Sequence, residues 1–534
     1  MRRTRTPLSG CLWVSSLTVC LLPAWFICML TAGCGVTGSS SGSTAPPLPP
    51  APSVASVVVT PQAATTPLGE SQPFTAAAKD ANGNPISGAT FTWSSDRPRI
   101  ATVDSTGKAT GIGLGAARIS ATSAGVSGSG ILTVSENLTR KVIPTNFFGM
   151  TTVDAADFPR VPAGALGHPP RLAWGWIEQT KGVYTWTYFD DFVNAAERNG
   201  VDLVITFGWT PGWAAKDQST CSPVSGVSLC TSPPTYLQDW KNFLNQVISH
   251  YNGVTAPHVK YYELWNEANS KSYWSGTVLD MVSLAEAAYP IIHQDPNSLL
   301  LTPSVGGPVG TADPSSGETW MAQYLAAGGR LYADGGTFHG YIARTGVRPY
   351  PMPEQDTTSG CVAFTTCFGS IVTKAMRMRA VFDANGLAGK PMFDTEGSWG
   401  DNNVTDPDAQ AAWLARWYLL QAGNNVQRVY WYAWGGGRAF AEVPYGQVYK
   451  WLVGATPSTA CSPDSASTWT CAFTRPGDYE ALGVWNANGP TSFLPAPQFK
   501  QYRDLQGSVF PFTAGAMVPI GIKPILLETG NVPP

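Results

Sequence analysis

Two acidic residues that close separate hydrophobic segments could do chemistry together in this chain of 534 residues. Glu267 ends Tyr261-Tyr262-Glu263-Leu264-Trp265-Asn266-Glu267, a short buried strand running into an Asn-Glu pair and then small and polar residues. Glu396 ends a second such segment, Lys390-Pro391-Met392-Phe393-Asp394-Thr395-Glu396-Gly397. Paired carboxyls can cleave an acetal, one protonating the leaving oxygen and the other meeting positive charge at the anomeric carbon. A separation of about 5–5.5 Å gives retention, and a wider gap admits water and inverts. The acid must be kept protonated by burial and its neighbour's charge, while the other carboxylate is kept ionised by hydrogen-bond donors. His339 and Tyr341, in Phe338-His339-Gly340-Tyr341, are the candidate donors. Strand alternation puts Glu263, Trp265 and Glu267 on one face, with Glu267 at the rim. Glu263 then lies deeper, as a buried carboxylate paired with an arginine such as Arg171, and Asp394 supports Glu396 in the same way.

These residues need a scaffold that brings distant strand ends together. From about Lys141 the chain alternates strand and helix patterns. The strand candidates are 147–150, 171–174, 202–207, 259–265, 299–303, 336–341, 391–394 and 426–432. Helical patterns fall at 188–198, 236–251, 278–293, 320–327, 370–384 and 409–422. Eight strands interleaved with helices predict a (β/α)₈ TIM barrel over 141–437, with functional residues at the C-terminal strand ends. An open doubly wound sheet would carry a glycine-rich phosphate loop after its first strand, and no such loop is present. After Gly437 the alternation stops, and 438–530 reads as a C-terminal β appendage, some of whose strands could come from segments near the barrel's start.

Upstream, short alternating strands separated by turn residues span 54–136 and predict a β-sandwich with Trp93 in its core. A Gly/Ser/Pro-rich tether occupies 35–53. Residues 1–34 read as an export signal: Arg2, Arg3 and Arg5 precede an apolar run from Leu12 to Leu30. Leu30-Thr31-Ala32-Gly33-Cys34 resembles a bacterial lipoprotein box with Cys34 acylated, and an uncleaved membrane anchor is the alternative. Either reading places the remainder outside the cytoplasm, in the periplasm, at the cell surface or secreted. Of the ten cysteines, six form three sequence-local pairs: Cys221 with Cys230, Cys361 with Cys367, and Cys461 with Cys471. No histidine stands near any pair, so disulfides in an oxidising compartment are expected rather than a metal site.

Composition narrows the partners. A formal net charge of −3 without a basic stripe argues against nucleic acid. Only 13% of residues are charged while Gly, Pro, Trp and Tyr are plentiful, as in loop-rich extracellular proteins whose aromatics stack on sugars. The five histidines are dispersed, so no metal or other cofactor is expected. Trp209 and Trp213 stand evenly between sugar-subsite wall and loop packing. Glu178 is expected to fix the turn at 182–186.

Two resemblances sharpen this picture. The string ATVDSTGKATGIGLGAARISA is similar to bacterial Ig-like domains of group 2, which serve as spacers or adhesive modules. The strings YYELWNEAN and MFDTEGSWG resemble clan A of the glycoside hydrolases, and RLAWGWIEQTKGVYTWTYFDDFVNAAERNGVDLVITFGWTPGWA is most similar to family 39, over about 142–437. That resemblance implies Glu267 as acid/base, Glu396 as nucleophile of a retaining mechanism, and Asn266 on the sugar 2-hydroxyl. It also implies His339 and Tyr341 at the sixth strand, Arg171 near the nucleophile, and Trp431 or Trp434 as a platform. The Cys221–Cys230 insertion and the stretch from Tyr341 to Ser370 depart from the family pattern on the active-site face. The expected function is retaining hydrolysis of an extracellular poly- or oligosaccharide. A non-catalytic glycan-binding adhesin is the alternative, and a transglycosylase would share every residue named.

Overall fold

The computed structural model describes residues 53–67, 70–98, 100–112, 115–135, 140–152, 154–167, 174–309, 313–343, 349–355, 368–400 and 403–530. Cys34, Arg171, Cys361 and Cys367 lie outside these, as do the signal and most of the tether.

The first described module is built of short antiparallel strands. Ser56–Thr60 pairs with Thr75–Lys79, and Gly115–Ser123 pairs with both Val126–Ser135 and Thr92–Ser95. Val57, Val59, Phe74, Ile119, Leu132 and Val134 are buried between the sheets, and Trp93 packs on them half-buried. Met376 and Ala380, from a helix of the following barrel, pack against the same core.

Eight parallel strands form the barrel: Phe148–Thr152, Ala165–Gly167, Asp202–Thr206, Tyr261–Glu263, Leu299–Leu301, Gly336–His339, Met392–Gly397 and Arg428–Trp434. The fifth and sixth strands meet at a parallel bridge between Leu301 and Gly335, where Thr302 N–H donates to the Gly335 carbonyl at 3.0 Å, so the sheet closes on itself. The second strand is Ala165–Gly167 rather than 171–174, and Trp174 instead begins a short helix, Trp174–Ile177. The longer helices Thr187–Asn199, Leu237–His250, Val278–Ile292, Gly317–Ala326, Ile371–Phe382 and Pro407–Gly423 fall where the apolar period puts them. The alternation also continues past Gly437, because Glu442–Leu452 is a helix that follows the eighth strand.

The N-terminal end of the barrel is sealed by Arg428. Its guanidinium lies 4.4 Å from the Tyr261 ring centroid, donates to the Tyr261 hydroxyl at 3.0 Å, and pairs with Asp202 at 2.5 Å. Buried Ala165, Val204, Leu301, Phe393 and Tyr430 complete that plug. The open end, where the strands terminate, is left for loops.

The C-terminal residues form an antiparallel sheet centred on Thr468–Arg475, Tyr479–Asn486 and Ile525–Glu528. Its described strands all follow Ala455, and the barrel's start contributes only Ile143, bonded to Gly454 and Ala455 without forming a strand. The Cys461–Cys471 disulfide lies at this sheet. Arg416, fully buried on Pro407–Gly423, pairs with buried Glu354 and donates through Nε to the Ile522 carbonyl at 2.8 Å. Arg416→Met would leave the Glu354 carboxylate buried and unpaired. We expect a loss of about 3–5 kcal/mol in urea unfolding; a loss below about 1 kcal/mol would show that this pair does not hold sheet and barrel together.

Candidate active site

Glu267 does not reach the rim by simple alternation. The fourth strand ends at Glu263, and Trp265 turns outward to pack on Trp240 and Trp274. The chain then holds to the fifth-strand loop: Ser304 N–H donates to the Trp265 carbonyl at 2.8 Å and Ala268 N–H to the Ser304 carbonyl at 3.0 Å. Glu267 adopts φ +39°, and its N–H donates to Ser304 Oγ at 3.1 Å. Left-handed backbone at a non-glycine residue is uncommon, and surrounding bonds must hold it. Gly306 makes room for the side chain, since a Cβ there would lie 2.4 Å from Glu267 Oε1.

Glu396 is aimed by a bulge. Phe338 is opposite Asp394, yet His339 is opposite Glu396, so the seventh strand carries an extra residue at this point. An inserted residue re-aims the side chains around it. Asp394 stays beneath, accepting from Gly340 N–H at 2.8 Å. A Cβ at Gly340 would lie 2.0 Å from Asp394 Oδ2, so only glycine fits that contact.

One imidazole reaches both glutamates. His339 Nδ1 is 3.0 Å from Glu267 Oε1, and its Nε2 is 3.9 Å from Glu396 Oε2. The Tyr341 hydroxyl donates to Glu396 Oε1 at 3.0 Å. The His339 side chain is only 2% exposed. Burial opposes its charge, but Glu396, the bond to Glu267 and deeper Glu263 outweigh that and raise its pKa to about 9. Glu396 is pushed up to about 7, first by burial and then, against the imidazolium, by the negative Glu267.

Below them lie groups that spacing did not single out. Lys374, buried on Ile371–Phe382, donates to the carbonyls of Gly307 at 2.9 Å, His339 at 3.4 Å and Tyr341. Three acceptors match the three donors of an ammonium group. Burial lowers the Lys374 pKa to about 8, against the pull of Asp394 and Glu267. Asp394 is raised to about 7 by burial. Glu263 is fully buried and its pKa is raised by burial, with the hydroxyls of Thr395, Ser304 and Thr337 around it. No arginine pairs with Glu263 among the described residues.

Glu267 and Glu396 face a single cleft of about 600 Å³, whose walls include Tyr273, Tyr341, Phe368, Tyr432, Lys271 and Arg438. Several expected contacts are placed differently. Trp431 is buried among Trp399, Trp413, Trp417 and Phe440, and Trp434 packs on Phe440 under Arg160; neither lines the cleft. Tyr432, between them on the opposite face, is the eighth-strand aromatic that does, with the Arg438 guanidinium 5.0 Å from its ring centroid. Asn266 is buried beside Glu267 and outside the lining. Trp209 sits one ring back from the cleft, 5.7 Å from Tyr273. Glu178 accepts from Trp174 Nε1 and Gly182 N–H at 2.8 Å each, holding its turn as expected. The Cys221–Cys230 disulfide is formed.

Residues 53–134 match the bacterial Ig-like domain (group 2). Solved structures with a similar fold include CelM2, a bifunctional glucanase-xylanase protein from a metagenome library. It is 13% identical at a TM-score of 0.53, over 73% of this chain and 96% of that one. A GH39 β-xylosidase from Caulobacter crescentus gives 16% identity and a TM-score of 0.47, over 73% and 97%. A GH30 endoxylanase from Clostridium papyrosolvens gives 12% and 0.48 over the same shares. No curated protein sequence matches the chain. Together with the closed eight-stranded sheet, the CelM2 likeness defines the fold as a TIM barrel carrying an N-terminal Ig-like domain and a C-terminal strand-rich region.

Because the glutamates around His339 hold its charge, Glu396 most of all, removing Glu396 should release it. In ¹⁵N NMR the imidazole should titrate near pH 9 in the parent protein and clearly lower in Glu396→Gln. An unchanged titration in the variant would mean that Glu396 does not act on the ring.

Proposed function

We propose that the barrel is a retaining glycoside hydrolase acting on an extracellular poly- or oligosaccharide. The observation that carries the reading is the facing of Glu267 and Glu396 across one cleft, joined by a single imidazole. Retention is proposed on the likeness of the two strand-end motifs to clan A of the glycoside hydrolases, and it calls for direct attack by one carboxylate. Glu396, the less exposed of the two and held by the Tyr341 hydroxyl, attacks the anomeric carbon while Glu267 protonates the departing oxygen. The C1–O bond breaks as the Glu396–C1 ester forms. Water, deprotonated by Glu267, then displaces Glu396 and restores the starting configuration. His339 and Tyr341 stabilise the carboxylate that forms when Glu396 leaves. The residues facing the cleft supply both proton transfer and nucleophile without recourse to a cofactor. CelM2, the glucanase-xylanase of similar fold, agrees in class.

Export and lipidation belong to the same proposal, supported by the basic start, the apolar run and Cys34. On this reading the oxidised Cys221–Cys230 and Cys461–Cys471 pairs are what an exported protein would keep.

Four measurements test these assignments. Glu396→Gln should lower kcat on every glycan substrate by about 10³-fold or more, and Glu267→Gln by about 10²–10⁴-fold, less for aryl glycosides whose leaving group needs no proton. Turnover unchanged in Glu396→Gln would remove Glu396 as the nucleophile, binding without turnover in the parent would leave a glycan-binding protein in place of an enzyme, and inverted product on ¹H NMR would exclude the covalent route. Attack requires ionised Glu396, so kcat/KM should fall as pH drops below about 7, approaching tenfold per unit. A profile flat to pH 5 would assign the nucleophile elsewhere. In bacterial expression, labelled palmitate should enter the parent chain but not Cys34→Ser; equal labelling would refute the lipid anchor.

A further inference from the structure

The cleft is not alone on this end of the barrel. A second cavity of about 590 Å³ lies on the loops after the second and third strands, lined by Gln179, Thr180, Gly212, Trp213, Val227 and Ser228 among others. Tyr273 belongs to the first cleft and Trp213 to the second. Tyr273 lines the first cleft, and Glu267 and Glu396 both act on its hydroxyl. Trp209 lies against Tyr273 at 5.7 Å, four residues before Trp213. All three rings are half-buried.

The rings are held in place rather than merely packed. Trp209 adopts φ +50°, a left-handed conformation that persists only where neighbours enforce it. Gly175 N–H donates to the Trp209 carbonyl at 2.9 Å, and a Cβ at Gly175 would lie 3.0 Å from that oxygen. The next two residues, Thr210–Pro211, pair antiparallel with Leu229 and Cys230 of the hairpin that the Cys221–Cys230 disulfide closes. Trp213 donates through Nε1 to the Glu178 carbonyl at 2.8 Å, and the Lys181 ammonium stands 5.3 Å over one face of its ring. Fixed aromatic faces beside carboxamide and hydroxyl groups suit sugar rings, whose C–H faces stack while their hydroxyls hydrogen-bond. The hairpin thus walls the second cavity and pairs with the residues that follow Trp209.

We propose that Tyr273, Trp209 and Trp213 form a track that binds successive sugars of a glycan chain whose scissile linkage lies at Glu267 and Glu396, so that the protein selects chains over short oligosaccharides. This rests on the glycosidase reading above, and the test keeps the two apart. The quantity read is the ratio of kcat/KM on a polysaccharide to kcat/KM on its disaccharide-length aryl glycoside. Trp209→Ala should lower that ratio about tenfold, the scale of one lost aromatic contact of about 1.4 kcal/mol. Ser228→Arg, on the exposed hairpin, should lower it similarly by filling the second cavity without touching the barrel core. Thermal unfolding identifies any variant that merely fails to fold, and Ser228→Arg serves if Trp209→Ala does. Ratios equal to the parent's in both variants would overturn the track. If the parent hydrolyses no glycan, calorimetric binding of the same polysaccharide decides: weaker binding in both variants keeps the track and rejects only the enzyme, whereas equal or absent binding rejects the track as well.

Discussion

Two carboxyls facing one cleft repel each other, and left alone they would settle the conflict by taking up a proton. A buried imidazole between them changes that balance. With Nδ1 on Glu267 and Nε2 toward Glu396, His339 supplies a positive charge that both can share. Burial works against that charge, so the ring depends on the glutamates as much as they depend on it. The protonation of the three groups is therefore a joint property of the cluster.

Much of the rim can be understood as holding that ring and its two partners. Lys374 gathers the carbonyls of Gly307, His339 and Tyr341, tying the ends of the fifth and sixth strands to one helix. Gly340 lets Asp394 approach the backbone directly behind His339, and Gly306 leaves space for the Glu267 carboxyl. The bulge on the seventh strand and the left-handed turn at Glu267 are departures from regular geometry at the two positions where direction matters most. Departures of this kind concentrate at working sites because regular strands point side chains only straight in or straight out.

The sequence carried the larger part of this organisation through patterns that survive local irregularity. Seven of the eight strand positions and six helix spans follow from apolar period and breaker residues, and the strand-end motifs locate Glu267, Glu396, His339 and Tyr341. The second strand was hidden because Ala165–Gly167 is only three residues long, one of them glycine. The helix Glu442–Leu452 was hidden by Pro444 and Gly446, although a proline in the first turn costs a helix little. Trp431 faces away from the cleft and Tyr432 lines it because neighbouring residues of one strand differ only in parity, and parity depends on register that composition does not encode. Lys374 looks like an ordinary solvated helix residue, and only the packing of its helix on the strand ends gives it three carbonyls. The paired strand face that joined Glu263, Trp265 and Glu267 failed for a simple reason, since the strand stops at Glu263.

The seating of the Ig-like domain has a corollary for the architecture. Met376 and Ala380, which cover part of that domain's core, share a helix with Lys374. One face of Ile371–Phe382 thus shelters the neighbouring β-sandwich while another reaches the backbone under the reactive groups. A protein trimmed to its barrel would bare both apolar side chains on the helix that carries Lys374. Module and barrel are, in this sense, a single inheritance: neither can be exchanged for a foreign counterpart without refitting the helix they have in common.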